Sequence, residues 1–186
     1  MLQGRGIGVV IPARNESKHI GQVLSTIPSF VDHVVVVDDG SEDDTEKIAL
    51  STHCSAELSI VKLDGLGVGK AIDSGHQKLL EIFADSKFVS AVMAGDGQMD
   101  PDDLEGLVTC VISGKAEYAK GDRSNHSDGL RSMPLIRRLA TVLLSFFTTL
   151  AAGQTISDSQ CGYTVTSDEV LRSWDWEKSW SGYGYP

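Results

Sequence analysis

Residues 33–45 read HVVVVDDGSEDDT, and this run decides the fold. Four consecutive valines suit a strand buried on both faces, the kind found inside a parallel sheet. The strand leads straight into Asp38 and Asp39, then a glycine turn and a plausible helix start over residues 41–44. Asp and Ser cap helices well, and one carboxylate is enough for that. The second carboxylate leaves a different role open, contact with a cation or a hydroxyl-rich ligand.

The same pattern repeats on either side. Apolar runs at 7–11, 58–63 and 88–93 alternate with stretches of helical period at 17–27, 44–51 and 71–84, and a further helix follows Pro101, which sits well at a helix start. Such alternation predicts the α/β class, a mostly parallel Rossmann-like sheet with helices on both faces. Polar chemistry gathers after the strands: Pro12-Ala13-Arg14-Asn15-Glu16, then Asp38-Asp39-Gly40-Ser41, then residues 65–70, then Gly95-Asp96-Gly97-Gln98, then Gly121-Asp122-Arg123. In an open α/β sheet these segments converge at the carboxyl edge, where ligands bind.

Bulk properties narrow the function. A chain of 186 residues, 41% of them hydrophobic, can bury one sizeable core, so a single domain over 1–186 is expected. A net charge of −10 argues against nucleic acid as a partner, because such binders need basic surface to displace phosphate counterions. Cys54, Cys110 and Cys161 have neither metal-ligand spacing nor a disulfide framework, which makes a reducing cytoplasm the default. The N-terminus lacks the features of a signal peptide, and the apolar stretch 139–153 is too short and too rich in Ser and Thr to span a bilayer.

The segment after the first strand does not read as a dehydrogenase, because the G-x-G-x-x-G turn of dinucleotide folds is absent. It offers Arg14, Asn15 and Glu16 in succession, either as an ordinary polar loop with Asn15 or Ser17 as a cap, or as part of a ligand site with Asp38 and Asp39. After the fourth strand, Asp96 and Gln98 alternate in a turn, which suits a hard cation such as Mg²⁺ or Mn²⁺. Asp100, Pro101 and Asp102 read instead as a helix N-terminus.

Taken in order, PARNE, VVDDGSEDDT and AGDGQMDP resemble the motifs of family 2 glycosyltransferases of the dolichol-phosphate mannosyltransferase and polyprenyl-phosphate glycosyltransferase type. Gly67-Val68-Gly69-Lys70-Ala71-Ile72, Gly121-Asp122-Arg123 and Asp158-Ser159-Gln160-Cys161-Gly162-Tyr163 extend the likeness over nearly the whole chain. The resemblance implies a glycosyltransferase A fold and an inverting transfer of sugar from a GDP- or UDP-linked donor to a polyprenyl phosphate at the cytoplasmic face of a membrane. It places Pro12, Arg14, Glu16 and Asp39 on the nucleoside with Asp38 in support, and adds Ala13, Asn15, Lys70 and Gly95 to the donor-binding set. Asp96 and Gln98 would hold a divalent cation, Mg²⁺ or Mn²⁺. Asp96, Arg123 and Asp158 would serve the chemistry.

Two positions depart from that pattern. Ala94 stands where the family's D-x-D triplet has its first carboxylate, and Arg14 stands where many relatives carry an aromatic residue. Ala94 also fits a degenerate relative that binds nucleotide without turnover. A transferase to a saccharide hydroxyl would need a general base, for which Asp158 is the visible candidate. A receiver-type signalling domain would share the acidic pair after a strand and a Mg²⁺ site, but it is too small to account for PARNE and the later motifs. The family pattern also runs on past a G-Y-G-[YF] segment, so a C-terminal part beyond Pro186 is expected.

Elsewhere the residues decide less. The stretch 131–150 joins Arg131, Arg137 and Arg138 to an apolar helical face, which suits either core packing or a membrane surface. The five histidines show no ligand spacing. Trp174, Trp176, Trp180, Tyr183 and Tyr185 line either an acceptor pocket or a sheet edge.

Overall fold

The computed structural model describes residues 2–122, 144–145, 147–151, 153, 158, 161–180 and 182. The elements alternate as β1 Gly6–Ala13, α1 Ile20–Ser25, β2 His33–Asp39, α2 Thr45–Ser51, β3 Glu57–Leu63, α3 Val68–Ile82, β4 Phe88–Val92, α4 Leu104–Ile112, β5 Tyr118–Lys120, β6 Thr164–Ser167 and α5 Asp168–Ser173. Two compact units result: residues 1–119 with 163–186, which carry most of the sheet, and residues 120–162.

The six strands lie in the order β3-β2-β1-β4-β6-β5. β1 pairs in parallel with β2 on one side and with β4 on the other, and β2 pairs in parallel with β3. The chain therefore steps one way from β1 to β3 and then returns to the far side of β1. That reversal is a topological switch point, and it opens a crevice at the carboxyl ends of β1 and β4. β6 runs antiparallel to β4, pairing Ser90 with Thr166 and Val92 with Thr164. Its four residues, Thr-Val-Thr-Ser, are short and polar, too weak a pattern to be read as a strand beforehand.

Burial follows the sequence pattern. Val34 to Val37 are fully buried, and each such valine favours folding by about 1.5–3 kcal/mol relative to exposure. β3, at the sheet edge, is half-exposed along most of its length. In β1 the residues alternate by face. On one face Gly6, Gly8 and Val10 meet α3: a Cβ on Gly8 would stand 2.6 Å from the Leu79 side chain, and one on Gly75 would stand 2.2 Å from Val10 Cγ1. The absent side chains let α3 lie close on the strand. Ile7, Val9 and Ile11 face the other way and are also fully buried, so both faces of β1 are covered.

Three boundaries differ from the sequence reading. The first helix covers Ile20–Ser25 and is preceded by turns. α3 begins at Val68, three residues earlier than expected, because Gly67 adopts φ 98° and opens the helix. After Pro101 a single 3-10 turn, Pro101–Asp103, precedes α4, and Asp100 Oδ1 accepts the Asp102 amide at 3.0 Å.

Candidate functional site

Three loops are tied together at the carboxyl edge of β1 and β2. Asn15, in the left-handed region at φ 57°, donates its amide to Ser41 Oγ at 2.9 Å and accepts the Glu42 amide on Oδ1 at 2.8 Å. Glu16 donates its amide to Thr45 Oγ1 at 2.8 Å. Asp43 accepts the Ser17 amide at 3.2 Å and bonds both the amide and hydroxyl of Thr45. The Thr45 and Ser17 donors hold the Asp43 carboxyl down at about 2.

The acidic pair divides its work. Asp38 turns back to accept the Ser41 amide at 2.9 Å, closing the β2 turn. Asp39 points across to the loop after β3 and accepts the amides of Leu66 at 2.7 Å and Gly67 at 2.8 Å, one on each oxygen. Both carboxylates are buried, and such charge-assisted bonds to amides satisfy them there. Gly40, at φ 73°, leaves room for this crossing: a Cβ on it would stand 3.0 Å from the Gly65 amide nitrogen.

Beneath these loops lies a cavity of about 300 Å³. Pro12, Ala13, Arg14 and Glu16 line it from the end of β1, and Asp39 from β2. Gly67, Val68 and Ala71 contribute the first turn of α3, while Ala94, Gly95 and Asp96 come from the loop after β4. Gly95 is drawn against β1 by its amide, which donates to Pro12 O at 3.4 Å; a Cβ there would stand 3.2 Å from that oxygen. Arg14 seats its guanidinium 3.5–3.8 Å from the place of a Cβ on Gly65. Among the described residues that line the cavity, Arg14 carries the only positive charge, against the carboxylates of Glu16, Asp39 and Asp96.

The structure thus brings Pro12, Ala13, Arg14, Glu16, Asp39, Gly95 and Asp96 into one cavity and leaves others of the expected set outside its lining. Asn15 and Asp38 hold the surrounding loops. Lys70 points elsewhere: its ammonium donates to Asp73 Oδ2 at 3.2 Å and to Trp176 O at 3.4 Å. Val68 and Ala71, three positions apart, share one face of α3, while Lys70 pairs with Asp73, three positions further along its own face. The lining residues Gly67, Val68 and Ala71 were missed as individual site residues, although the spacing Gly67 to Ala71 would signal them once the helix start is known. Asp158 is buried and belongs to the 120–162 unit. Arg123 and most of 131–150 lie outside the described residues.

Asp96 and Gln98 leave the β4 loop together, the Gln98 amide donating to Asp96 Oδ1 at 3.0 Å. Gln98 is exposed and does not line the cavity. One carboxylate with a nearby amide fits a hard cation that keeps several waters and takes its remaining ligands from phosphate. Among the described residues no cluster of three His, Cys, Asp or Glu forms a self-sufficient metal site.

The comparisons with known proteins agree with this architecture. The model of glycosyl transferase family 2 matches residues 8–174. The UDP-N-acetylglucosamine–dolichyl-phosphate N-acetylglucosaminyltransferase of Methanococcus voltae is 30% identical over 181 residues, covering 89% of this chain and 71% of that protein. The polyprenol monophosphomannose synthase of Mycolicibacterium smegmatis is 28% identical, covering 90% of this chain and 63% of its own length. In solved form, glucosyl-3-phosphoglycerate synthase from Mycobacterium tuberculosis, in complex with Mn²⁺, UDP-glucose and phosphoglyceric acid, superposes with a TM-score of 0.62 at 24% identity, covering 89% of this chain and 58% of that one. The fold is the glycosyltransferase A fold. With a family match that runs from β1 through α5 and takes in every loop around the cavity, the chain belongs to glycosyl transferase family 2.

Proposed function

We propose that this chain moves a sugar from a nucleotide-sugar donor to the phosphate of a polyprenyl lipid, with inversion at the anomeric carbon. The cavity at the switch point carries this reading. It is large enough for part of a nucleoside diphosphate and is lined by Asp39, Arg14 and Asp96 from three separate strand ends. The named relatives from Methanococcus voltae and Mycolicibacterium smegmatis support a lipid-phosphate acceptor for this chain as well.

Each residue has a task in that reaction. The β1 and β2 loops, with Arg14 and Glu16, hold the nucleoside against the first turn of α3. Asp96, which lines the cavity, and the exposed Gln98 beside it would hold the Mg²⁺ or Mn²⁺ of this reading. Such a cation, when bound, neutralises charge that develops on the leaving diphosphate. A lipid-phosphate acceptor is already anionic and attacks without a strong general base, so the chain needs to orient it more than to deprotonate it. Arg123 serves the leaving group in this reading, and Asp158 the acceptor. A polyprenyl acceptor also sets the work at a cytoplasmic membrane surface. No described helix is long and apolar enough to cross a membrane.

Calorimetric titration with UDP and GDP, each with and without Mn²⁺, tests the donor site. Binding of one nucleotide, lost in Asp39→Ala and Asp96→Ala, supports it and names the base. Binding of neither by the folded protein overturns it. Ala94 motivates a second reading, a relative that binds nucleotide without turnover; transfer of radiolabelled sugar to a polyprenyl phosphate separates the two.

A further inference from the structure

A second cavity, of about 170 Å³, lies on the face of the sheet that α3 covers. Ser90 of β4 stands opposite Thr166 of β6 and Val92 opposite Thr164, so both threonines share the face of Ser90, to which His76 of α3 is bonded. His76, Thr164 and Thr166 line the cavity with Tyr118 of β5, and α5 adds Val170, Leu171 and the Trp174 that follows it. No residue lines both this cavity and the one at the carboxyl edge.

The lining selects a class of ligand. Among the described residues that form it there is no acid, lysine or arginine, and burial lowers the His76 pKa to about 4, so its imidazole is neutral near neutral pH. A phosphate or carboxylate would enter without a counter-charge, which burial penalises. Size sets a second limit, since about 150 Å³ is enough for a benzene ring.

His76 sets the third. The residue is 2% exposed. Its Nδ1 is engaged by Ser90 Oγ at 2.7 Å, while Nε2 has no hydrogen-bond partner among the described residues. Nε2 is not fully enclosed by protein, so it meets accessible space, and the cavity is the accessible space that His76 lines. In a neutral imidazole Nε2 donates in one tautomer and accepts in the other. A hydroxyl group serves either, because it both donates and accepts.

We propose that this cavity is a second ligand site, which takes a compact, uncharged ring bearing a hydroxyl group, with the hydroxyl on His76 Nε2 and the ring among Val170, Leu171 and Trp174. The inference does not rest on the donor-site reading.

Phenol is the probe, and toluene is its counterpart of similar shape without the hydroxyl. Each is titrated into the whole chain near neutral pH and followed by calorimetry and by the imidazole nitrogen NMR resonances of His76. Saturable phenol binding that shifts the Nε2 resonance and is about tenfold tighter than toluene binding, the scale of one hydrogen bond to a buried polar group, supports the proposal. Equal binding of the two rings overturns the role given to His76, and binding of neither overturns the site. Displacement of phenol by UDP or GDP also overturns it, because the ring then belongs to the other cavity. Val170→Phe, checked for folding by circular dichroism, fills the site from its partly exposed wall and is expected to weaken phenol binding by about tenfold or more. A folded variant with unchanged affinity overturns the location, and if the variant does not fold, the His76 resonances of the wild-type protein decide the question.

Discussion

Asp39 Oδ2 accepts the amide of Gly67 at 2.8 Å across 28 positions of sequence, while its other oxygen takes the amide of Leu66. The carboxylate that ends β2 thus holds the turn from which α3 begins. Gly67 and Val68 reach the cavity from that turn, so Asp39 shapes the wall opposite the β4 loop.

Asp39→Asn is expected to lower stability by about 1–3 kcal/mol, because the amide nitrogen would face a backbone N–H and leave a buried donor unpaired. Nucleotide affinity should fall together with stability as the turn loosens. Urea unfolding and nucleotide titration on the same protein check both. Unchanged unfolding would mean that the two amides find other acceptors.

Gly75 tests how closely α3 lies on β1. A Cβ there would stand 2.2 Å from Val10 Cγ1, on a strand paired on both sides that cannot easily shift. Gly75→Ala is expected to destabilise by about 1–3 kcal/mol through overpacking. Adding Val10→Ala should recover part of that loss, since it removes the clashing methyls, and denaturant midpoints of the two single variants and the double variant measure the coupling.

β1, β2 and β4 were legible because Val34 to Val37 and their counterparts are buried on both faces, so the apolar run is continuous. Pro12 to Glu16 and Asp96 could be located for the same reason, since each directly follows such a strand. What Asp39 does was not legible, because its partners at Leu66 and Gly67 depend on the register of β2 against β3. The partner of Lys70 was not legible for a local reason: a helix starting at residue 71 would leave it in the loop, whereas a start at Val68 places it one turn from Asp73. That start depends on the positive φ of Gly67, a backbone state that glycine permits without announcing.

His76 gives the fold a defined response to acid. It is buried on α3, bonds Ser90 Oγ through Nδ1 at 2.7 Å, and burial lowers its pKa to about 4. Between the ordinary value of 6.5 and about 4 the unfolded chain holds a proton that the folded one does not. Stability therefore falls as pH drops through this window, by up to ~1.4 kcal/mol per unit from this group. His33, also lowered by burial, acts in the same direction. His76→Gln should flatten the dependence of unfolding free energy on pH between 6.5 and 4; an unchanged slope would assign the acid sensitivity elsewhere.

Arg14 and Lys70 are both cations beside glycine-rich turns, and the structure separates their roles. Arg14 lines the cavity and lies over Gly65, whereas the Lys70 ammonium is committed to Asp73, whose side chain is only 4% exposed. Removing Lys70 leaves that carboxylate without its cation. Because Lys70 is itself 36% exposed, the cost is reduced from the full value of a buried pair, to about 1–2 kcal/mol. Lys70→Met is therefore expected to lower stability while keeping nucleotide affinity within about twofold, since its side chain does not line the cavity. Arg14→Ala is expected to do the reverse, with little change in unfolding and roughly tenfold weaker nucleotide binding, the scale of a lost charge-assisted contact. Unfolding curves and calorimetric titrations of the two variants form a crossed pair. If Lys70→Met weakens nucleotide as much as Arg14→Ala does, Lys70 leaves Asp73 when the donor binds.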